Sequence, residues 1–213
     1  MKKSGYFITF IFIVILLVIG FWIVTNISNS NNNVKEVKQL ENPKTLIVYY
    51  SRTGNTKAVA ELIQQKVGGE LVQIETATPR PSNYRQEVNQ NEQEQDDNVL
   101  PELKTKINNF DSYDRVFVGT PTWNMALPQA VVSFLEDYNF SGKTVIPFNT
   151  NGGYGVGATF AQIKDGVKGA NVLKGFSVKG GEETNGILLA IKGNKKVEVS
   201  KEIDEWLKDI NQK

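Results

Sequence analysis

Apolar positions fall into two regimes along this chain. From Phe7 to Val24 they form a run of 18 residues interrupted only by Thr9 and Gly20. From Lys44 onward they come as short β-branched runs alternating with stripes at helical spacing. At ~1.5 Å per residue the first run spans about 27 Å, close to the ~30 Å of a bilayer core. Lys2 and Lys3 precede it and no charge follows until Lys35. The positive-inside rule therefore keeps the N-terminus in the cytoplasm. A cleaved signal peptide is the competing reading, but the run exceeds the usual ~7–15 residues of such a core. Only Ser28-Asn29-Ser30 offers small residues spaced for cleavage. The expected division is a transmembrane anchor over residues 1–25, a flexible Asn/Ser-rich linker over 26–43 and one folded domain over 44–213. The protein is expected in the cell membrane as a single-pass protein, with its domain on the extracytoplasmic side.

Within the domain, Leu46 to Tyr50 reads as a buried parallel strand, and Val59, Leu62, Ile63 and Val67 as one face of a helix. Glu70 to Thr76 predicts a second strand. Ser82 to Asn98 is strongly polar and net acidic, which predicts a solvated loop or surface helix. Leu103 to Phe110 predicts a short helix and Arg115 to Gly119 a third strand. Ala130, Val131, Phe134 and Leu135 predict the next helix, and Val145 to Phe148 a fourth strand. A helix carrying Phe160 and Ile163 follows, then a fifth strand over Val172 to Val178. Gly180 through Asn194 reads as a hairpin or loop insertion around Ile187 to Ile191. Ile203, Trp206, Leu207 and Ile210 stripe a closing helix. Strands alternating with helices predict an α/β fold with a parallel sheet covered on both faces.

Composition narrows the chemistry. The chain has 24 Lys and Arg against 23 Asp and Glu, a net charge of +1, so no basic footprint for nucleic acid is present. Cysteine and histidine are both absent. Thiol redox, disulfides, thiolate nucleophiles and His-based metal or acid–base chemistry are excluded with them. No metal is expected, and any redox chemistry must be carried by a bound cofactor.

Three loops stand at the C-terminal ends of predicted strands, the edge where open doubly wound sheets bind ligands. In Ser51-Arg52-Thr53-Gly54-Asn55-Thr56 the chain turns from strand into helix, where unpaired N–H groups favour an anion. Ser51, Thr53 and Thr56 add hydroxyls and Asn55 an amide, while Gly54 lets the backbone curl close. The same residues are also ordinary helix caps. The paired glycines and Gly-Lys-Ser/Thr ending of a Walker A loop are missing. The second loop holds Pro121, Thr122, Trp123, Asn124 and Met125, with an exposed-looking tryptophan suited to stacking on a flat ring. The third holds Thr150, Asn151, Gly152, Gly153 and Tyr154, whose glycines let backbone approach a ring edge. Gly153-Tyr-Gly155-Val-Gly157 lacks the full dinucleotide fingerprint. Together the loops describe a site for a flat heterocycle bearing one phosphate.

On Ser51 to Thr56, Gly119-Thr-Pro-Thr-Trp123 with Leu127-Pro128, and Thr150 to Gly153, the chain resembles the flavodoxins. The likeness is to the flavodoxin-like bacterial domains with a G-x-P-x-W motif after the third strand, and it covers Thr45 to Val178. That resemblance implies a five-stranded doubly wound sheet in order 2-1-3-4-5 and noncovalent FMN at the strand ends. Ser51 to Thr56 would then hold the phosphate, Pro121 to Met125 would flank one face and the N5 edge of the ring, and Thr150 to Tyr154 would line the pyrimidine side. Asn124 stands where the family often has a second aromatic, and Asn tolerates left-handed backbone. A site poor in cations would lower the flavin potential, with Arg52 the exception.

The leading functional expectation is a membrane-tethered FMN protein acting in electron transfer outside the cytoplasmic membrane, with redox protein or quinone partners. An FMN-dependent NAD(P)H:quinone oxidoreductase and a cofactor-free binding module of the same fold are the alternatives.

Overall fold

The computed structural model describes residues 43–181 and 188–213. The Phe7–Val24 run and nearly all of the expected linker lie outside the described residues, as does part of the Gly180–Asn194 segment. Among the described residues no helix is long and apolar enough to cross a membrane.

The chain runs β1 (Thr45–Tyr49), α1 (Asn55–Val67), β2 (Glu70–Gln73), α2 (Tyr84–Asp96), β3 (Arg115–Pro121), α3 (Gln129–Asp137), β4 (Thr144–Asn151), α4 (Thr159–Gly166), β5 (Asn171–Val172), β6 (Phe176–Lys179) and α5 (Gly193–Asp209). All strand pairs in the sheet are parallel and the order is β2-β1-β3-β4-β5, with β6 also paired to β4. Side chains alternate across the pleat, so each strand serves two cores. Leu46, Val48, Val116, Val118 and Val145 face one side, with Val131 and Phe134 of α3 and Ile163 of α4. Ile47, Tyr49, Phe117, Ile146 and Phe148 face the other, with Val59, Leu62 and Ile63 of α1 and Ile203, Trp206 and Leu207 of α5.

Two expectations are corrected. The single fifth strand over Val172–Val178 is two short strands, so six strands fill five positions. β5 pairs with Thr144 and Val145, and β6 with Phe148 to Asn151. Between them β4 carries Pro147, which has no N–H to offer a ladder. Opposite lies Gly175, where a Cβ would stand 2.6 Å from the Phe160 ring and 3.0 Å from Pro147 Cγ. The helix expected over Leu103–Phe110 is also absent; only a single 3₁₀ turn forms, at Phe110–Ser112. Leu103, Ile107 and Phe110 are buried, which imitates helical spacing. Leu103 instead pairs with Thr76 as an antiparallel bridge, and the Lys104 and Thr105 N–H groups donate to the Glu75 carbonyl. Within the polar Ser82–Asn98 stretch lies α2, capped by Asn83 Oδ1 accepting from the Gln86 N–H at 3.2 Å.

Candidate functional site

The ends of β1, β3 and β4 converge because strict register brings Tyr49 beside Gly119 and Gly119 beside Phe148. Gly119 is required there, since a Cβ would enter the Phe148 ring. Beyond these ends lies a cleft of about 420 Å³, within the usual size of a small-molecule or cofactor site.

At one end is the turn from β1 into α1. Gly54 adopts a left-handed conformation at φ 91°, which a Cβ would resist. Ser51 Oγ accepts from the Lys57 N–H at 3.2 Å, so it caps the first turn. Asn55 is 4% exposed, and its amide ties the turn to the segment at residues 188–191. Its Nδ2 donates to Thr53 Oγ1 at 2.9 Å and to the Leu188 carbonyl, and its Oδ1 accepts from the N–H groups of Ala190 at 3.0 Å and Ile191 at 3.1 Å. Thr53 Oγ1 therefore keeps its own hydrogen for a ligand. Thr56 Oγ1 and Thr150 Oγ1 share one hydrogen bond at 2.9 Å, which leaves one of their two hydrogens to direct elsewhere. The N–H groups of Asn55 and Thr56 lie in the first helical turn, where no intrahelical carbonyl reaches them.

The second loop is a tight reversal. Trp123 and Ala126 exchange backbone hydrogen bonds at 3.2 and 2.9 Å, with Asn124 at φ 47° and Met125 at φ 57° between them. Two successive positive φ values define a type I′ geometry, which suits Asn and is unfavourable for Met. The turn is pinned by the Ala158 N–H donating to the Met125 carbonyl at 2.8 Å, and that approach leaves no room for a Cβ on Gly157. Trp123 lines the cleft, but it is buried at 5% exposure rather than exposed as its flanking residues suggest. Its ring meets Tyr50 and Tyr84 edge-on, at centroid distances of 5.6 and 6.2 Å. The loop folds inward because Gln95 of α2 donates to the Leu127 carbonyl at 2.7 Å.

In the third loop, Asn151 Oδ1 accepts from the N–H groups of Gly153 at 2.9 Å and Gly155 at 3.2 Å, an Asx-type turn. Fully buried Asn149 donates to Thr122 Oγ1 at 2.9 Å, joining the second loop to the third. Tyr154 and Met125 stand at the mouth, 80% and 51% exposed.

The structure brings Arg52, Thr53, Asn55, Thr56, Pro121, Thr122, Trp123, Asn124, Met125, Thr150, Asn151, Gly152 and Tyr154 to the cleft wall. Ser51, Gly54 and Gly153 shape it without lining it. Tyr84 and Val88 of α2, Gly180, Gly181 and Leu188 also line it, and sequence reasoning missed them. The spacing of Tyr84 and Val88, one helical turn apart inside an otherwise polar stretch, was the available signal. Arg52 does not reach freely into the cleft. It pairs with Glu87 of α2, a carboxylate with 1% exposure, and its Nη2 donates to the carbonyls of Pro81 and Ser82. Glu87 Oε1 accepts from the Tyr50 hydroxyl at 2.6 Å. Burial pushes the Glu87 carboxyl up, while Tyr50, Arg52 and Arg80 pull it down less strongly. The Tyr50 hydroxyl is raised by burial first and then by Glu87.

Residues 44–189 match a protein-family model described as flavodoxin. Among curated proteins, flavodoxins of Nostoc sp. and Synechocystis sp. are 26% and 27% identical over 118 residues. Those alignments cover 54% of this chain and 55% of theirs, so the chain spans about half the length of the curated relatives it matches. Among solved structures, a candidate flavoprotein from Bacteroides eggerthii is 29% identical, with a TM-score of 0.64 over 79% of this chain and 98% of that one. A flavoprotein of Lactobacillus acidophilus solved in complex with FMN shares the fold at 24% identity, with a TM-score of 0.55 over 63% of this chain and 92% of that one. A sheet in this order, with a hydroxyl-rich turn and a cleft at its strand ends, agrees with the match across residues 44–189: the chain belongs to the flavodoxin family.

Proposed function

We propose that the chain is a membrane-tethered protein that binds FMN noncovalently and carries electrons outside the cytoplasmic membrane. The observation that carries the flavin reading is the division of the cleft into two chemically different ends. One end offers hydroxyls of Thr53 and Thr56 or Thr150 with the first-turn N–H groups of α1, a donor set that fits a phosphate monoester. The other is walled by Tyr84, Val88 and Trp123, with Met125 and Tyr154 at its mouth, a lining that fits a flat ring. Family membership and the FMN complex of the Lactobacillus relative support the same cofactor.

Bound FMN supplies reversible electron transfer at its ring system. The chain's own part is to hold and shield that ring. The pinned reversal at Asn124 and Met125 presents backbone at the cleft, while the Asn151 turn presents the backbone of Gly152 to Tyr154 to a ring edge. Neither task needs a histidine or a cysteine, and the chain has none. The tether reading is supported by the 18-residue apolar run behind Lys2 and Lys3. A tether would raise the local concentration of membrane redox proteins or quinones, the proposed partners.

Titrating the full chain with FMN and with riboflavin, and following flavin fluorescence, tests the cofactor. Tight quenching by FMN and much weaker quenching by riboflavin are expected. Quenching by neither would overturn the electron-carrier reading. Protease added to intact protoplasts is expected to remove the domain; full protection would overturn the extracytoplasmic placement.

A further inference from the structure

Arg52 carries the only positive charge among the described residues that line the cleft, and it lies within the turn that the phosphate-binding reading assigns to an anion. A guanidinium so placed would ordinarily be taken as a phosphate ligand. Two of its three guanidinium nitrogens are instead engaged by α2 and the segment leading into it. Nε meets the Glu87 carboxylate, and Nη2 donates to the Pro81 and Ser82 carbonyls on the approach to α2.

Taking that phosphate-binding reading as given, we propose that Glu87 is a positioning residue that neutralises Arg52 and holds it against α2 at the cleft wall. The phosphate end then selects its ligand by neutral hydrogen-bond donors rather than by charge. Glu87 itself cannot swing aside, because Oε1 accepts from the hydroxyl of Tyr50, the residue directly before the loop. Arg80 and Glu94 pair alongside at 2.6 Å, so the cations and carboxylates of this cluster balance. A carboxylate at 1% exposure on the inward face of a helix is a costly choice where an apolar side chain would pack. A purely structural tie between loop and helix did not require a charge. What a charge adds here is cancellation of the one beside it.

Glu87→Gln separates the two roles. Glutamine preserves the size of the side chain and an acceptor for Tyr50, but it leaves the Arg52 charge uncompensated beside the cleft. The readout is the ratio of FMN to riboflavin affinity, which isolates the phosphate. We expect the ratio to rise about tenfold or more (~1.4 kcal/mol), with a steeper fall in FMN affinity as salt is added. Adding Arg52→Gln should return both to wild-type values. If Glu87 is only structural, both flavins weaken together and the ratio stays fixed, which overturns the proposal. Should the single variant fail to melt cooperatively, the Arg52→Gln/Glu87→Gln double variant decides. A wild-type ratio supports the proposal, whereas a tenfold fall identifies Arg52 as a direct phosphate ligand and overturns it. Wild-type protein that binds neither flavin would fail the cofactor reading and this inference with it; wild-type binding with an unchanged variant ratio fails this inference alone.

Discussion

α1 and α2 are both 13 residues long and both border the cleft, yet opposite kinds of side chain hold them in place. α1 buries Ala58, Val59, Ala60, Leu62 and Ile63 in the core it shares with α5. The fully buried side chains of α2 are Glu87 and Asn91, with Tyr84 and Val88 as partly buried apolar companions. Apolar burial stabilises in proportion to area and is indifferent to direction. Hydrogen bonds and ion pairs add little net stability, but each fixes a direction. α1 accordingly anchors the fold, whereas α2 is oriented by the loops it touches: Arg52 and Tyr50 through Glu87, Gln129 through Asn91, and Leu127 through Gln95. Scaffold and site wall are thus built by different interactions.

The largest effect that would break this contrast lies in α1. Ile63→Ala should cost ~2–5 kcal/mol of unfolding free energy in urea, with FMN affinity unchanged for the molecules that remain folded. A loss well under ~1 kcal/mol would remove α1's claim to be the anchor. In α2 the expected pattern is different. Asn91 Oδ1 accepts from the Gln129 N–H at 2.8 Å, supplying from outside the cap that Pro128 cannot give to α3. Asn91→Ala should cost ~1–3 kcal/mol and also weaken FMN binding, because Gln129 directly follows the Trp123 loop. Stability lost without affinity would make α2 a second scaffold helix.

Smaller effects sharpen the contrast through pH. The Glu87 carboxyl is raised above 4.5 in the folded protein, chiefly by burial. The stability linked to its protonated form is complete below that value and is lost as pH rises through the folded value. Melting curves should therefore show Glu87→Gln improving relative to wild type as pH increases from about 4.5. On the opposite face, Asp204 of α5 is held down at about 2 by hydrogen bonds from Lys213 and Lys66, the latter on α1. Its contribution is present above 3.8 and lost as pH falls through about 2, with the opposite sign to Glu87. Asp204→Asn should flatten only that acidic limb, and as a surface contact it should have the smallest effect of the set.

The same contrast explains what the sequence made legible. The α1 stripe and the three loops could be read because periodicity and turn chemistry are local signals, whereas the strand order, a non-local property, was implied only by the family resemblance those loops carried. The role of α2 could not, because Glu87 and Asn91 look solvated until Arg52 and Gln129 are seen opposite them. Trp123 misled for a related reason: its flanks are polar, but Gln95 draws the loop inward over Tyr50 and Tyr84. At Leu103, Ile107 and Phe110 the error ran the other way. Three core anchors fell at helical intervals on a stretch whose backbone is committed to Glu75.

The interruption at Pro147 and Gly175 reaches beyond local geometry. It divides the outer border of the sheet into pieces of two and four residues, and β2 on the far border also has only four. Long uninterrupted borders are templates on which a second chain can add strands. These broken, Lys- and Glu-bearing borders give a second chain little backbone to pair with, so the sheet discourages edge-to-edge association through its own geometry.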